Sequence, residues 1–483
     1  MANSKARSRK TAAIDPAQID ILKDNFAGEV IQPGDSNYDS ARRIWNASID
    51  RHPGVIARCS GVADIVVAVK FARANDVPAS VRGGGHNVAG RALCDDGIVI
   101  DLSAMRGVVV DPQSQTVRVQ GGATLADVDR ETHAYGLAVP TGTVSRTGIA
   151  GLTLGGGVGW LVRKYGLTCD NLLSCEVVTA AGELLTASRT INPDLFWALR
   201  GGGGNFGIVA SFLFRAHPVS TVLSGLILYP RNQADAVLRH YRAFMTTAPE
   251  ELTAYAALIS TPEGVPVVGI AVCYCGDLDA GERVLLPLRT FGSPLLDAVQ
   301  PMPFPVMQKI LEGAFPEGTY NYWKSTFLKE ISDKALDVIV EHGNRAQSPL
   351  SGVIIEFYGG AVTRVGVGDT AFAQRQAQYN VIIPAQWTDA AENARHTGWV
   401  RDFWDALKPY SSGGQIFTLT SDVGEDMMRS VFGGNYARLV ALKAKYDPTN
   451  FFSLNQNIKR AAPASPSPAQ EVPAMTASPA ERG

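Results

Sequence analysis

Residues 82–87 read Arg82-Gly83-Gly84-Gly85-His86-Asn87 and place one imidazole beside a loop that has almost no side chains. Consecutive glycines let a backbone adopt positive φ angles and approach a ligand closely, so that several N–H groups can point at one phosphate. Two further glycine blocks follow at residues 155–159 and 201–207. Three such blocks in the first half of the chain predict a site for a large anionic cofactor rather than ordinary turns.

Composition narrows the classes of protein to which the chain can belong. Its 483 residues are 46% hydrophobic and 19% charged, which predicts a globular protein of two or three domains. A formal net charge of −2 gives no basic field for a nucleic acid. The longest uncharged runs are rich in glycine and shorter than the roughly 20 apolar residues of a membrane span. Six cysteines without zinc spacing predict reduced thiols and no metal site. We therefore expect a cytoplasmic protein that binds neither nucleic acid nor a membrane.

Hydrophobic periodicity divides the chain into two mixed regions. Strand-like runs occupy residues 77–81, 98–102, 108–110, 117–119, 175–179 and 208–214 in the first region, and 223–228, 254–260, 267–275 and 352–358 in the second. Helical spacing occupies residues 60–75, 194–199, 234–247, 334–344 and 436–446, and a further helix runs from the N-cap Thr124 to the stop signal Gly136. The basic leader and the Pro-, Ala- and Ser-rich residues 461–483 are predicted to be disordered.

Four motifs occur in a fixed order, at residues 80–87, 155–171, 194–203 and 435–457. Together they resemble the flavin-linked oxidases typified by vanillyl-alcohol oxidase and p-cresol methylhydroxylase, in their berberine-bridge-enzyme-like branch. The resemblance covers residues 53–458 and implies an α+β protein with a two-part FAD-binding domain of the p-cresol methylhydroxylase type. It also implies an inserted substrate domain, which is built on an antiparallel sheet covered by helices.

The resemblance sets the expected domain boundaries. These are a leader at residues 1–15, an FAD-binding domain at 16–218 with its core at about 50–218, a substrate domain at 219–434, a C-terminal segment at 435–460 that returns to the FAD-binding domain, and the tail at 461–483.

The resemblance implies one covalent bond, from His86 to the 8α-methyl carbon of the flavin. Many members add a bond from a cysteine, but Val144 stands at that position here, and Cys169 is expected to serve in packing. A single bond is similar to the pattern of the 6-hydroxy-D-nicotine oxidases. A Rossmann site is disfavoured, because the block that begins at Gly157 lacks the third glycine of G-x-G-x-x-G.

The resemblance also implies a set of residues that contact FAD. They are Arg82, Gly83, Gly84, Gly85, His86, Asn87, Gly142, Thr143, Gly148, Gly151, Gly155, Gly156, Gly157, Gly159, Trp160, Gly207, Val209, Asn455 and Asn457.

The two usual positions of a base in this family carry other residues here. The turn at residues 412–414 leads into Gln-Ile-Phe-Thr without the usual tyrosine and asparagine, and the other position is Ile382. The remaining candidates share strand faces: Glu356 with Tyr358, and Tyr322 with Lys324. A carboxylate among apolar neighbours is costly unless it is paired, so Glu356 is either a functional group or one half of an ion pair with Arg364 or Lys324.

The resemblance implies an FAD oxidase that takes a hydride from a C–OH or C–N carbon of a small organic substrate to flavin N5, with O₂ as the acceptor and H₂O₂ as a product. The missing tyrosine favours an amine, as in 6-hydroxynicotine oxidation, or a phenol that is already ionised. A dehydrogenase with another electron acceptor and a flavin-binding module with little turnover are the alternatives.

Overall fold

The computed structural model describes residues 14–422 and 424–459. The predicted tail and residues 1–13 of the predicted leader lie outside this range. Asp15, the last residue of that leader, is the N-cap of the first helix, because its Oδ1 accepts a hydrogen bond from the Ala17 N–H at 3.0 Å.

The first region of the chain contains strands β1–β11 and helices α1–α7. The strands are β1 (Glu29–Ile31), β2 (Val55–Arg58), β3 (Ala79–Arg82), β4 (Ile98–Asp101), β5 (Val108–Asp111), β6 (Thr116–Gln120), β7 (Leu137–Ala138), β8 (Leu172–Val178), β9 (Leu184–Ser188), β10 (Ile208–Arg215) and β11 (His217–Pro218). The helices are α1 (Pro16–Asp24), α2 (Tyr38–Ala41), α3 (Val62–Ala74), α4 (Leu125–His133), α5 (Ile149–Leu154), α6 (Val162–Tyr165) and α7 (Pro193–Leu199).

Two sheets dominate this first region. One has the strand order β1-β2-β4-β3, in which β2 and β3 both run parallel to β4. The other is antiparallel with the order β5-β6-β10-β8-β9. β2 and β4 each begin with three apolar residues that are buried on both faces, as is typical of parallel strands, and each ends in a charged residue, Arg58 or Asp101. β3 ends at Arg82, so the glycine loop leaves the edge of the parallel sheet.

The second region forms one large antiparallel sheet with the strand order β15-β12-β14-β13-β18-β19-β17, and β16 pairs with β12. The strands are β12 (Thr221–Pro230), β13 (Leu252–Ser260), β14 (Pro266–Tyr274), β15 (Leu296–Asp297), β16 (Gln300–Pro303), β17 (Tyr320–Leu328), β18 (Val353–Phe357) and β19 (Tyr379–Trp387). The helices are α8 (Ala234–Met245), α9 (Leu278–Arg289), α10 (Phe304–Met307), α11 (Asp333–Gly343), α12 (Ala361–Arg364) and α13 (Asn393–Leu407).

The two faces of this sheet differ because side chains alternate along a strand. Ala256, Ile355 and Val381 share a buried cluster with residues of α8, α11 and α13, and we name this side the helix face. The alternate residues, such as Tyr255 and Ile354, point the other way, and we name that side the cavity face.

The last described elements, α14 (Glu425–Phe432) and α15 (Tyr436–Tyr446), pack back against the first region. Lys443 is fully buried, and its Nζ bonds to Asp447 Oδ2 at 2.7 Å and to the carbonyl oxygens of Asn205 and Phe452. This bond set fixes the C-terminal segment beside the third glycine block.

The α+β class predicted from the sequence is confirmed. Predicted helices at residues 60–75 and 436–446 correspond to α3 and α15. Thr124 caps α4 through a reciprocal pair of bonds with Asp127. Among residues 14–422 and 424–459, no helix combines the length and the apolar character that a membrane crossing requires.

Candidate active site

A deep cavity lies between the glycine loops of the first region and the cavity face of the large sheet. Most of the residues expected to contact a cofactor line it: Gly83, Gly84, Gly85, His86, Asn87, Gly142, Thr143, Gly148, Gly151, Gly155, Gly157, Gly207, Val209 and Asn455. The structure thus brings together glycines that are up to 124 positions apart in the sequence, from Gly83 to Gly207.

Three of the expected residues, Gly156, Gly159 and Trp160, do not line the cavity. Gly159 allows close packing, because a Cβ there would lie 2.0 Å from the Thr141 carbonyl oxygen. Gly156 has a φ of +112°, and a Cβ there would lie 2.6 Å from the Phe372 ring. Trp160 is buried against Tyr255, with ring centroids 4.8 Å apart.

Two further expected residues also lie outside the lining, Arg82 and Asn457. Arg82 bonds through Nε to Asp101 Oδ1 at 3.0 Å and through Nη2 to Asp101 Oδ2. Burial raises the pKa of Asp101, but the bonds from Arg82 outweigh this and hold the pKa below its usual value. The ion pair therefore anchors the start of the glycine loop. Asn457 is in the C-terminal segment, and its Oδ1 is buried without a hydrogen-bond partner.

Backbone contact between two loops explains why glycines are needed at Gly84 and Gly148. A Cβ on Gly84 would lie 2.4 Å from Gly148 N, and a Cβ on Gly148 would lie 2.3 Å from Gly84 N. Either side chain would push the loops apart. The wall of the cavity is therefore bare main chain at this point, which suits the close approach of a diphosphate.

His86 projects from this loop and stacks on Trp45, with centroids 4.6 Å apart and planes 13° apart. Its Nε2 is buried without a hydrogen-bond partner. Burial, together with a smaller effect of the charge of Arg146, lowers the pKa of His86 to about 4. The imidazole is therefore neutral at neutral pH, which is the form that has a free electron pair on one ring nitrogen.

These observations agree with FAD as the occupant. Bare glycine backbone suits the diphosphate, apolar residues line most of the remaining wall, and polar atoms of His86 and Asn455 are buried without partners. An orphaned buried polar atom is costly, so a ligand that bonds to it is favoured.

The part of the cavity that the large sheet lines contains one acidic side chain, Glu356 of β18. Its Oε2 accepts hydrogen bonds from Tyr358 Oη and Asn380 Nδ2, both at 2.8 Å. Neither bond involves Oε1. Burial raises the pKa of Glu356 above its usual value, while the two donors oppose that rise. Tyr358 therefore acts through Glu356, and it does not itself line the cavity.

The ion pairs considered for Glu356 are not formed. Arg364 bonds to Glu250, and Lys324 Nζ bonds to Asp422 Oδ2 at 2.7 Å. Glu356 is consequently a buried carboxyl group with hydrogen-bond donors but no cation beside it.

The structure places Tyr322 and Lys324 away from the cavity. Both lie on the helix face of β17: Tyr322 Oη donates to Asp422 Oδ1 at 2.7 Å, and Lys324 Nζ lies 4.1 Å from the Trp404 ring centroid. Trp323, the residue between them, points the other way and lines the cavity. Their shared strand face was expected, but it is the face opposite the site.

Aromatic side chains form the wall opposite the glycine loop. Trp323 contacts Trp45 edge-on at 5.5 Å between centroids and Phe315 at 5.4 Å. Trp45 in turn stacks on His86. This aromatic wall therefore runs from the imidazole to the large sheet.

A segment of the second region, residues 304–318, roofs the cavity. Gln308 Nε2 donates to the Gly142 carbonyl oxygen at 2.8 Å, and Leu311 and Phe315 line the cavity. The roof therefore rests on the first region through side-chain bonds.

Positions that carry reactive groups in the resembled family are occupied as follows. Val144 lines the cavity, whereas Cys169 is fully buried in an apolar cluster away from it. Ile382 and Thr418 line the cavity, and Gln415 bonds to Thr420 instead.

Sequence reasoning missed Trp45, Tyr255, Asn380, Arg91 and Trp323. Asn380 could have been found, because it lies two residues before Ile382 and so shares its strand face. Trp45 carried no signal, since only the fold brings it to His86.

Two family models match the chain. One is described as "FAD binding domain" and matches residues 53–188, and the other is described as "Berberine and berberine like" and matches residues 420–459. The chain is 32% identical over 441 residues to an FAD-linked oxidoreductase of Dictyostelium discoideum, covering 90% of this chain and 95% of that protein.

The chain is also 32% identical over 449 residues to the (R)-6-hydroxynicotine oxidase of Paenarthrobacter nicotinovorans, covering 90% of this chain and 97% of that protein. Among solved structures, 6-hydroxy-D-nicotine oxidase from Arthrobacter nicotinovorans superposes with a TM-score of 0.83 at 30% identity, covering 90% of this chain and 98% of that one.

Proposed function

Because the chain belongs to the FAD-linked oxidoreductases of the berberine-bridge-enzyme-like family, we propose that it is an oxidase with a covalently bound flavin, and that it oxidises a C–N or C–OH bond of a small organic molecule. The observation that carries the proposal is a buried carboxyl group, Glu356, in the cavity that His86 also lines.

When bound, FAD supplies the acceptor for the hydride and passes the electrons on to O₂, giving H₂O₂. Each part of the cavity then has a role. The glycine loops bind the diphosphate, and His86 holds the isoalloxazine through the single covalent bond. Trp45 fixes the imidazole plane by stacking. The roof segment at residues 304–318 excludes bulk water from the substrate.

Glu356 is the base in this proposal. A carboxylate at this position accepts the proton of the substrate hydroxyl or ammonium group while the adjacent carbon is oxidised. Tyr358 and Asn380 are positioning residues, because they hold Oε2 and stabilise the ionised form.

Among possible substrates, an amine suits the site best. Glu356 has no cationic partner, and the aromatic wall of Trp323 and Phe315 can pack against an apolar ring or contact an ammonium group. One of the similar proteins is named (R)-6-hydroxynicotine oxidase, and nicotine is an amine.

An anaerobic screen tests the activity. Purified protein is mixed with amines, alcohols, phenols and sugars, and bleaching of the flavin absorbance is followed. We expect amines to bleach it and air to restore the colour with formation of H₂O₂. Slow reoxidation in air would instead indicate a dehydrogenase, and the absence of bleaching by every class would indicate a module that binds flavin with little turnover.

Acid precipitation tests the covalent bond. We expect yellow pellets from the parent protein and colourless pellets from His86→Ala, with the flavin in the supernatant. His52→Ala is the matched control, because His52 is an exposed residue outside the cavity, and its pellet should stay yellow. A colourless parent pellet contradicts the covalent bond.

A cytoplasmic location is also part of the proposal. All six cysteines of the chain are free and buried, which suits a reducing compartment.

A further inference from the structure

Formal charges are scarce on the wall of the cavity. Among its lining residues in the described part of the chain, Glu356 is the one acid and Arg91 is the one lysine or arginine. Glu356 comes from the large sheet, whereas Arg91 follows His86 in the loop after β3. The two charges therefore come from the two parts of the protein that form the cavity, the large sheet and the loop after β3.

The Arg91 side chain has no hydrogen-bond partner within the described protein, although its backbone N–H donates to Asn87 Oδ1. Its Nε is buried without a hydrogen bond, and no carboxylate acts on its charge. The one charged group that affects it is Arg51, which repels it. Burial also lowers the pKa of Arg91, although a guanidinium stays protonated at neutral pH.

The four buried arginines of the described chain each donate at least one side-chain hydrogen bond, although the Nε atoms of Arg200 and Arg375 have no partner. Arg82 bonds to Asp101, and Arg375 makes two 2.7 Å bonds to Asp170. Arg163 donates to backbone carbonyls, among them that of Tyr358 at 3.1 Å. Arg91 differs from these residues because its guanidinium lines an open cavity instead.

An unpaired guanidinium that is partly removed from water raises the free energy of the protein until an anion binds to it. A guanidinium also presents parallel N–H donors that match two phosphate oxygens. The anionic groups of FAD at neutral pH are the two phosphates of its diphosphate. The bare glycine loop at Gly83–Gly85 supplies neutral N–H donors but no compensating charge.

We propose that Arg91 binds the diphosphate of FAD and selects the dinucleotide over flavins that lack the adenosine diphosphate. This inference rests on FAD as the occupant of the cavity and is independent of the substrate. It assigns Arg91 to the cofactor and leaves Glu356 as the charge that faces the substrate.

The test measures binding instead of turnover, and it uses His86→Ala protein, in which no covalent bond can form. FAD, ADP and riboflavin are titrated into this parent, into its Arg91→Met variant and into its Arg91→Lys variant. We expect Arg91→Met to weaken the binding of FAD and of ADP by the same factor, about 10- to 100-fold, and to leave the affinity for riboflavin unchanged. Arg91→Lys should restore part of the loss, because the charge remains while the paired donors are lost.

Arg118→Met serves as the matched control. Arg118 lies on β6 outside the cavity, with one long bond of 3.5 Å to Ser211, and its loss should change no affinity.

Thermal melting of the apoprotein gives a second measurement. Because Arg91→Met removes an unpaired charge, it should raise the melting temperature of the apoprotein. It should also reduce the rise in melting temperature that FAD binding causes. Should Arg91→Met fail to fold, Arg91→Gln and the salt dependence of ADP binding to the parent provide the same comparison.

Two results would overturn the proposal: unchanged FAD and ADP affinities in Arg91→Met, or an equal loss of affinity for riboflavin. A parent protein that binds no FAD at all is a different result, because it contradicts the flavin site itself.

Discussion

Removing the Tyr358 hydroxyl should change the pH at which the enzyme works. The substitution Tyr358→Phe deletes one of the two donors to Glu356 Oε2, at 2.8 Å, and leaves the other, Asn380, in place. A hydrogen bond to a charged group is worth about 1.5–3 kcal/mol, and one pKa unit corresponds to about 1.4 kcal/mol. The pKa of Glu356, which burial already raises, should therefore rise by roughly one to two further units.

The sign follows from the role of Glu356 as a base. Only the ionised carboxylate accepts a proton, so the rate of flavin reduction falls as the pH drops through the pKa of Glu356. A higher pKa moves this fall to higher pH. The acid limb of the profile in Tyr358→Phe should therefore lie about one to two pH units above that of the parent, with a similar plateau at alkaline pH.

The assay is anaerobic stopped-flow reduction of the flavin, with an amine identified in the substrate screen, across a series of pH values. Glu356→Gln keeps the shape of the side chain and should slow reduction by about 10²- to 10⁴-fold while abolishing the limb. Tyr255→Phe is the matched control. Tyr255 also lines the cavity and pairs with Glu356 across strands, but its hydroxyl donates to the Gly159 carbonyl oxygen.

The limb in Tyr255→Phe should stay where it is in the parent. A Tyr358→Phe profile that coincides with the parent profile would refute the reasoning, as would a Glu356→Gln protein that is reduced at the parent rate.

Two further predictions concern stability and cofactor retention. Asp129 is buried, and neither of its carboxyl oxygens has a hydrogen-bond partner. Burial raises the pKa of Asp129 well above the usual value, and the charge of Lys309 opposes this rise. The folded protein therefore loses stability as the pH rises from the usual aspartate pKa toward the raised one. Asp129→Asn should therefore gain melting temperature over the parent increasingly as the pH rises above the usual aspartate pKa of about 4, and parallel curves would contradict this. Gly148→Ala should force its loop away from Gly84 and so lower the flavin-to-protein absorbance ratio. Gly398→Ala is the control, because Gly398 lies in a helix with open space around it. This control should keep the absorbance ratio and raise the free energy of unfolding by up to about 1 kcal/mol. An unchanged ratio in Gly148→Ala would show that the backbone contact is dispensable.

Much of the local structure could be predicted because its causes lie close together in the sequence. Thr124 and Asp127 cap α4 within one turn, and the alternation that places Glu356 and Tyr358 on one strand face is a local property. The glycine blocks also carry their own signal, since few other functions need so many adjacent residues without side chains.

The site residues that could not be predicted depend on which face of a strand lines the cavity. Tyr322 and Lys324 share a strand face, as expected. A shift of one residue along the strand exchanges the helix face for the cavity face, and the periodicity of the sequence alone does not fix which residues point into the cavity. Similarly, the contacts of His86 with Trp45 and of Glu356 with Asn380 join separate elements. Such contacts follow from the assembled fold and have no counterpart in local spacing.

The anchoring of the C-terminal segment has a consequence for biosynthesis. Lys443 ties this segment to Asn205, and Asn455 and Gln456 complete the wall of the cavity. A ribosome delivers His86 hundreds of residues before it delivers that wall. The complete wall of the cavity therefore forms only after the ribosome has added Gln456, and a nascent chain that stalls before Asn455 lacks this part of it.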